Sequence, residues 1–249
     1  MAAVNRFQQC SFSIVGLAWL LATTMFAGPL THSHNDYEQT RPLHDALAAG
    51  LDSIEADVWL IDGQLLVAHE YEEIRPGRTL ASLYLDPLRE HLKTRPTRSL
   101  ILLIDVKTEA DSTWRAIDAV LAKYPDLSGQ VRFIISGNRA RGLLAAASPR
   151  RAVMDGRLED LADPATADWI PLISDNWTKY FSWRGDDEFP AAERVRLDEI
   201  VTRTHAQGRL LRFWATPDRP EVWRVLRAAG VSVIGTDHLA ALRRFLDTP

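Results

Sequence analysis

Three observations on this 249-residue sequence predict an α/β fold: a (β/α)8 barrel of the TIM type, with a small extra hairpin after its second strand. From residue 28 onward, short β-rich runs alternate with amphipathic stretches, which argues for a parallel sheet. Eight such runs fit into about 220 residues, a length at which strand–helix units close into a barrel. Polar residues crowd the C-terminal ends of the runs, whereas their bodies are Ile, Leu and Val. In a closed parallel barrel that end is the one that carries chemistry.

In chain order, the first strand is expected at Leu30–His34, followed by a helix near Pro42–Ala49. The second strand, Ser53–Val58, leads into Asp62-Gly63, a strong turn dipeptide, so Gln64–His69 should fold back on it as a hairpin arm. A helix at Leu80–Lys93 then joins it to the third strand, Leu100–Val106. Ser112–Lys123 (helix), Val131–Ser136 (strand), Arg139–Ala147 (helix) and Ala152–Asp155 (strand) continue the alternation. A poorer helical stretch at Leu158–Pro164 separates the fifth strand from Trp169–Ser174. The series closes with the helix Pro190–Ala206, the strand Leu210–Trp214, the helix Glu221–Ala229 and the strand Val231–Thr236. No linker, repeat or charge run divides the chain, so residues 28–249 read as a single domain.

Residues 1–27 read as an export signal. Arg6 gives a positive start, Phe12–Ala27 is uncharged and mostly apolar, and Ala27-Gly28 supplies the small residues of a cleavage point. Sixteen apolar-run residues are short for a membrane span of about 20. The protein is therefore expected outside the cytoplasm, periplasmic or secreted. Cys10, the sole cysteine, lies in this segment, so the exported chain would have no disulfide, no thiol chemistry and no Cys-based metal site.

Composition narrows the function. With 46% hydrophobic residues and 29 Lys+Arg against 33 Asp+Glu, the chain is neither disordered nor collagen-like nor a disulfide scaffold. A net charge of −4 without a basic block does not point to nucleic acid. If such a chain handles phosphate, local positive charge must come from a metal or a few placed cations.

The strand ends supply candidates. Glu55 and Asp57 stand two apart on one strand, so their carboxylates share a side, and Asp105 on the next strand can join them. Three carboxylates at one mouth repel, and a hard divalent cation relieves that; all-oxygen ligation suits one Mg2+ or Ca2+ rather than Zn2+. Ion pairing with arginines is the competing use of these acids. His34 and His69 flank the carboxylates, 21 residues before Glu55 and 12 after Asp57. Ester hydrolysis needs one group to take a proton from the nucleophile and another to give one to the leaving oxygen, and histidine suits both near neutral pH. Lys107 shares the face of Asp105, where it can meet a phosphate oxygen or pair with an acid. Trp214 can wall an apolar part of the pocket. His44, His91 and His205 fall on helices as surface positions.

These motifs resemble a known superfamily. His34-Asn35-Asp36, Ser53-Ile54-Glu55-Ala56-Asp57-Val58, Asp62 to His69, and Leu103-Ile104-Asp105-Val106-Lys107 are similar to the glycerophosphodiester phosphodiesterases and the phosphatidylinositol-specific phospholipase C-like proteins. Asp105 to Thr108 resembles the matching strand of spider sphingomyelinases D, and Gly230 to Asp237 the superfamily's last strand. The string His-Ser-His-Asn-Asp-Tyr with Glu-Ala-Asp-Val-Trp-Leu resembles the branch named for altered inheritance of mitochondria. The likeness spans residues 31 to 240.

It implies a barrel that hydrolyses a small-molecule or lipid phosphodiester, the latter through peripheral contact with a membrane. By position, Glu55, Asp57 and Asp105 match metal ligands, His34 and His69 the acid–base pair, and Lys107 a phosphate contact; Asn35 and Trp214 join it as candidate substrate contacts. Two departures stand out. No arginine follows His32 or His34, unlike the His-Arg-Gly of the glycerophosphodiesterases, so both histidines stay in play, with spacing to Glu55 favouring His34. Asp105 stands where those enzymes have glutamate. Two other readings compete: a metallohydrolase of the His-x-His type built on His32 and His34, which would want further histidines where Ser136, Asp155 and Ser174 stand, and a non-catalytic barrel that binds a phosphate ligand.

Overall fold

The computed structural model describes residues 28–94 and 99–248; the segment read as an export signal, with Cys10, lies outside the described residues. Along the chain run β1 (Leu30–Ser33), α1 (His44–Ala48), β2 (Ser53–Ile61), β3 (Gln64–Val67), α2 (Asp86–Thr94), β4 (Leu100–Val106) and α3 (Ala110–Leu121). They are followed by β5 (Val131–Gly137), α4 (Arg141–Ala146), β6 (Val153–Gly156), β7 (Leu172–Asn176), α5 (Trp177–Tyr180), α6 (Ala191–Ala206), β8 (Leu210–Trp214), α7 (Pro220–Ala229), β9 (Val233–Thr236) and α8 (Leu239–Asp247). Eight parallel strands pair in the order β1-β9-β8-β7-β6-β5-β4-β2, and β1 pairs with β2 to close the ring. The architecture is a (β/α)8 barrel of the TIM type. β3 lies outside the ring, antiparallel to β2, as the hairpin arm that Asp62-Gly63 predicts.

Strand alternation sorts the side chains. On β4, Leu100, Leu102, Ile104 and Val106 pack outward into the layer shared with the helices, where α3 contributes Trp114, Ile117 and Leu121 at helical spacing. Ile101 and Leu103 point inward and, with Ile134, Leu172 and Val233, plug the interior. Truncating a buried residue of such a plug to Ala costs about 2–5 kcal/mol. One inward step further along each strand the residues turn polar. Asp57 lies beside Asp105, Asp105 beside Ser136, and Ser174 beside Arg212. This polar layer at the C-terminal ends of the strands is the floor of the site.

Some elements differ from expectation for identifiable reasons. β1 stops at Ser33, which releases His34 into a loop. β7 starts at Leu172, because Pro171 has no N–H to donate and Ile170 still bonds back to Thr166. The expected helix Leu80–Lys93 begins with a widened π turn, Ala81–Leu85, two residues before Pro87 removes an N–H donor. The stretch at Leu158–Ala162 is a 3-10 turn. Two helices were not expected, α5 and the C-terminal α8; α8 buries Leu239 and Leu242 and sets Phe245 against Trp223 of α7.

Candidate active site

Neighbouring strands carry Glu55, Asp57 and Asp105 to one point, where one ligand atom from each lies within 4.8 Å of the others. Each carboxylate spends a single oxygen on the protein. Glu55 Oε2 accepts from Arg212 Nη2 and lies 2.7 Å from His32 Nε2. Asp57 Oδ2 accepts from Lys107 Nζ at 2.8 Å and meets the Tyr37 hydroxyl at 2.8 Å and His69 Nδ1 at 3.2 Å. Asp105 Oδ2 accepts from Lys107 Nζ at 3.3 Å. Asp57 Oδ1 and Asp105 Oδ1 are buried with no partner at all. A buried carboxylate oxygen without a donor is costly, so two of them side by side fit a hard cation. The chain also makes room for this group. Gly137 ends β5 at φ +66, and a Cβ there would overlap Asp105 Oδ1 and the Val106 carbonyl.

Charge explains the protonation pattern. Burial alone would raise the pKa of Glu55, but the Arg212 charge and the His32 hydrogen bond outweigh it and hold the carboxyl well below its ordinary value. The ionised Glu55 then adds to burial in pushing Asp57 up and Asp105 up to about 7. Burial works against the Lys107 ammonium, yet Asp105 and Asp57 win and raise its pKa. Three carboxylates against Lys107 and Arg212 leave one negative charge, which a divalent cation would turn into one positive charge. That is the sign needed to receive a phosphate.

The two histidines at the end of β1 diverge. His32 is buried in the barrel wall with both nitrogens engaged, Nδ1 on Ser53 Oγ and Nε2 on Glu55, each at 2.7 Å. Burial and the Arg212 charge lower its pKa to about 4, so it stands neutral. His34 sits at the mouth, partly exposed, with Nδ1 2.8 Å from Asp237 Oδ1. Burial opposes its protonation, but the Asp237 hydrogen bond and the Glu55 charge outweigh it and raise the pKa. With Nδ1 committed, Nε2 is the nitrogen left for chemistry. Among the described residues, the converging metal-type group contains no histidine. The strands that a His-x-His site would need end in Ser136, Asp155 and Ser174.

His69 lies across Asp57 from this dyad, at the end of the hairpin arm, and is 42% exposed. Asn35 reaches the same corner: it adopts the left-handed conformation (φ 46), and its Oδ1 lies 2.6 Å from the Tyr37 hydroxyl. Trp214 and His34 line a cavity of about 240 Å³ between β8, β9 and β1, together with Arg212, Gly235, Thr236 and Asp237. All eight residues singled out from the sequence thus surround one mouth. Three partners were missed there: Tyr37, Arg212 and Asp237. Arg212 had a signal, since the alternation in Leu210 to Trp214 sets a charged residue on the strand's inward face.

Comparisons with known proteins bear on the fold and the family. An AIM6-like phosphodiesterase domain matches residues 26–96, a span that includes β1 through His69, and the glycerophosphoryl diester phosphodiesterase family matches residues 211–240. Two solved structures share the fold: a glycerophosphodiester phosphodiesterase from Parabacteroides distasonis and a Ca2+-dependent phosphatidylinositol-specific phospholipase C from Streptomyces antibioticus. The first has a TM-score of 0.61 at 15% identity over 89% of this chain and 98% of its own. The second has 0.60 at 17%, over 88% and 96%. The altered inheritance of mitochondria protein 6 of Eremothecium gossypii is 28% identical over 86% of this chain and 68% of its own length. Its homolog in Arthroderma benhamiae reaches 30% identity over 86% of this chain and 82% of its own length, a likeness that runs through the whole barrel. The chain therefore belongs to the altered inheritance of mitochondria protein 6 family, on a barrel shared with the glycerophosphodiester phosphodiesterases.

Proposed function

We propose that this protein is an exported, metal-dependent phosphodiester hydrolase that acts on a glycerophosphodiester, a phospholipid or a related diester. One observation carries the reading: three carboxylates converge, two with buried, unpartnered oxygens, between two histidines at the open end of the barrel. Glu55, Asp57 and Asp105 would hold one Mg2+ or Ca2+; the Ca2+ dependence in the name of the Streptomyces neighbour supports the latter. Such an ion supplies Lewis-acid polarisation of the phosphoryl oxygens and charge neutralisation.

The chain's own residues do the rest. His34, held by Asp237 through Nδ1, presents Nε2 to the reacting phosphate. His69 faces it from the hairpin arm, anchored loosely to Asp57 and Tyr37. One takes the proton from the nucleophile and the other returns one to the leaving oxygen. Lys107 carries a positive charge beside the phosphate, Asn35 fixes the turn that presents His34, and Trp214 forms the apolar rim where the alcohol portion rests.

The deciding experiment is a panel of phosphodiesters assayed with Mg2+, with Ca2+ and with chelator. Turnover that needs a divalent ion and is lost in His34→Ala and in His69→Ala is the expected result. Saturable ligand binding without turnover under every condition would instead make the barrel a binding protein.

A further inference from the structure

Arg212 does more than neutralise Glu55. It projects from β8 into the polar layer, 3% exposed, between the acid cluster and the cavity that holds His34 and Trp214. Its Nη2 donates to Glu55 Oε2 at 2.7 Å, whereas its Nε is buried and has no partner. A buried guanidinium nitrogen normally finds an acceptor, so an unpaired one beside a cavity marks a place for an acceptor that the chain does not supply.

The wall over that nitrogen is missing a side chain. Gly235 lines the same cavity, and a Cβ there would stand 3.5 Å from His32 Cδ2 and 4.0 Å from Arg212 Nε, ordinary contact distances. Neither backbone angle nor crowding demands glycine at this position; its effect is to leave space beside the buried Arg212 Nε. The charge is also badly placed for a purely structural part. A cation fixed on Glu55 Oε2 weakens that carboxylate as a metal ligand, which is a cost unless the positive charge serves an anion.

We propose that Arg212 binds the substrate phosphate: a non-bridging oxygen of the diester accepts from Nε while Nη2 remains on Glu55. The inference rests on the phosphodiesterase reading and adds to it the residue that sets the phosphate next to His34, on the β8–β9 side of the acid cluster. Arg212 thus couples the two charges of the site, orienting a metal ligand with one nitrogen and the substrate with another.

The test is calorimetric titration of the purified protein with Mg2+ alone, then with inorganic phosphate at saturating Mg2+. Arg212→Gln should weaken phosphate binding by roughly 10–100-fold, as expected for a lost charged hydrogen bond. Its Mg2+ affinity should hold or improve, because the competing charge on Glu55 is gone. Gly235→Ala, which alters no charge and fills the space beside Nε, should weaken phosphate binding by several-fold and leave Mg2+ binding unchanged. It decides the question alone if Arg212→Gln does not fold. Joint loss of Mg2+ and phosphate binding in Arg212→Gln, with Gly235→Ala indistinguishable from wild type, would make Arg212 a support for Glu55 only and overturn the proposal. A wild-type protein that takes up Mg2+ but no phosphate would also overturn it, leaving the acid cluster standing. One that takes up neither would remove the phosphodiesterase reading with it.

Discussion

Asp105→Asn should stabilise the cation-free protein while abolishing its response to cations. In the fold, burial and the charge of Glu55 move the Asp105 carboxyl from 3.8 up to about 7. A group whose folded pKa is raised contributes fully below its unfolded value and loses that contribution as pH climbs through its folded one. The gap, at about 1.36 kcal/mol per pH unit, amounts to ~4 kcal/mol by pH 8. Lys107 Nζ, 3.3 Å from Asp105, loses a partner in the variant but keeps Asp57 at 2.8 Å, which leaves a net gain on the order of 2–4 kcal/mol. For a chain of this size that is roughly 5–15 °C in melting temperature. Melting curves in chelator at pH 5 and pH 8 test the sign: the gap should be small at pH 5, where only about 1–2 kcal/mol of the ~4 has been lost, and wide at pH 8 with the variant above. Added Ca2+ or Mg2+ should then raise the wild type alone. If Asn is equally destabilising at both pH values, and both proteins gain equally from the ion, the charge at 105 is balanced by Lys107 and the metal reading fails.

Gly137→Ala should drive a methyl group into Asp105 and the Val106 carbonyl at a left-handed position; a lower melting temperature and a weakened Ca2+ titration check it together. His34→Ala and His69→Ala should each lower turnover on a natural diester by about 10²–10⁴-fold, and a nitrophenyl diester should rescue only the variant lacking the general acid. His32→Ala should act differently, raising the cation concentration needed for half-maximal rate and costing about 1–3 kcal/mol through the buried hydrogen bonds lost at Ser53 and Glu55, with a smaller loss at saturating ion than His34→Ala. Asp237→Asn should replace the charged acceptor that raises the His34 pKa with a neutral one, so the limb of the pH–rate profile belonging to His34 should move to lower pH.

The barrel was legible because its signal is local and repeated. Alternating Ile, Leu and Val in Leu100–Val106, punctuated by helices with buried stripes, recurs around the ring, and each strand ends where polarity begins. Boundaries were less legible where one residue overrides the pattern. Pro171 delays β7 and Pro87 follows a widened turn, effects of a missing N–H that hydrophobic periodicity does not encode. The C-terminal helix was missed although Leu239, Leu242 and Phe245 recur at helical spacing.

The site divides along a physical line. Glu55, Asp57 and Asp105 were readable because a strand's two-residue period fixes which side chains share a face, and adjacent parallel strands bring equivalent ends together. Glu55 and Arg212 are 157 residues apart, and no pattern within either strand states that β8 faces β2 across a closed ring. Closure also settles the environments of the two neighbouring histidines. The inward position of β1 puts His32 against Ser53 and Glu55, while the strand's end at Ser33 frees His34 to meet Asp237 just beyond β9. Two imidazoles in one tripeptide thus acquire opposite pKa shifts from the two sides of the barrel seam. A carboxylate on β2 locked from inside by a neutral histidine and an arginine, near a histidine raised chiefly by a second carboxylate, keeps the ligand of a cation and the carrier of a proton at one mouth with different charge partners. Arg212 and the His32 hydrogen bond together keep Glu55 ionised against its burial.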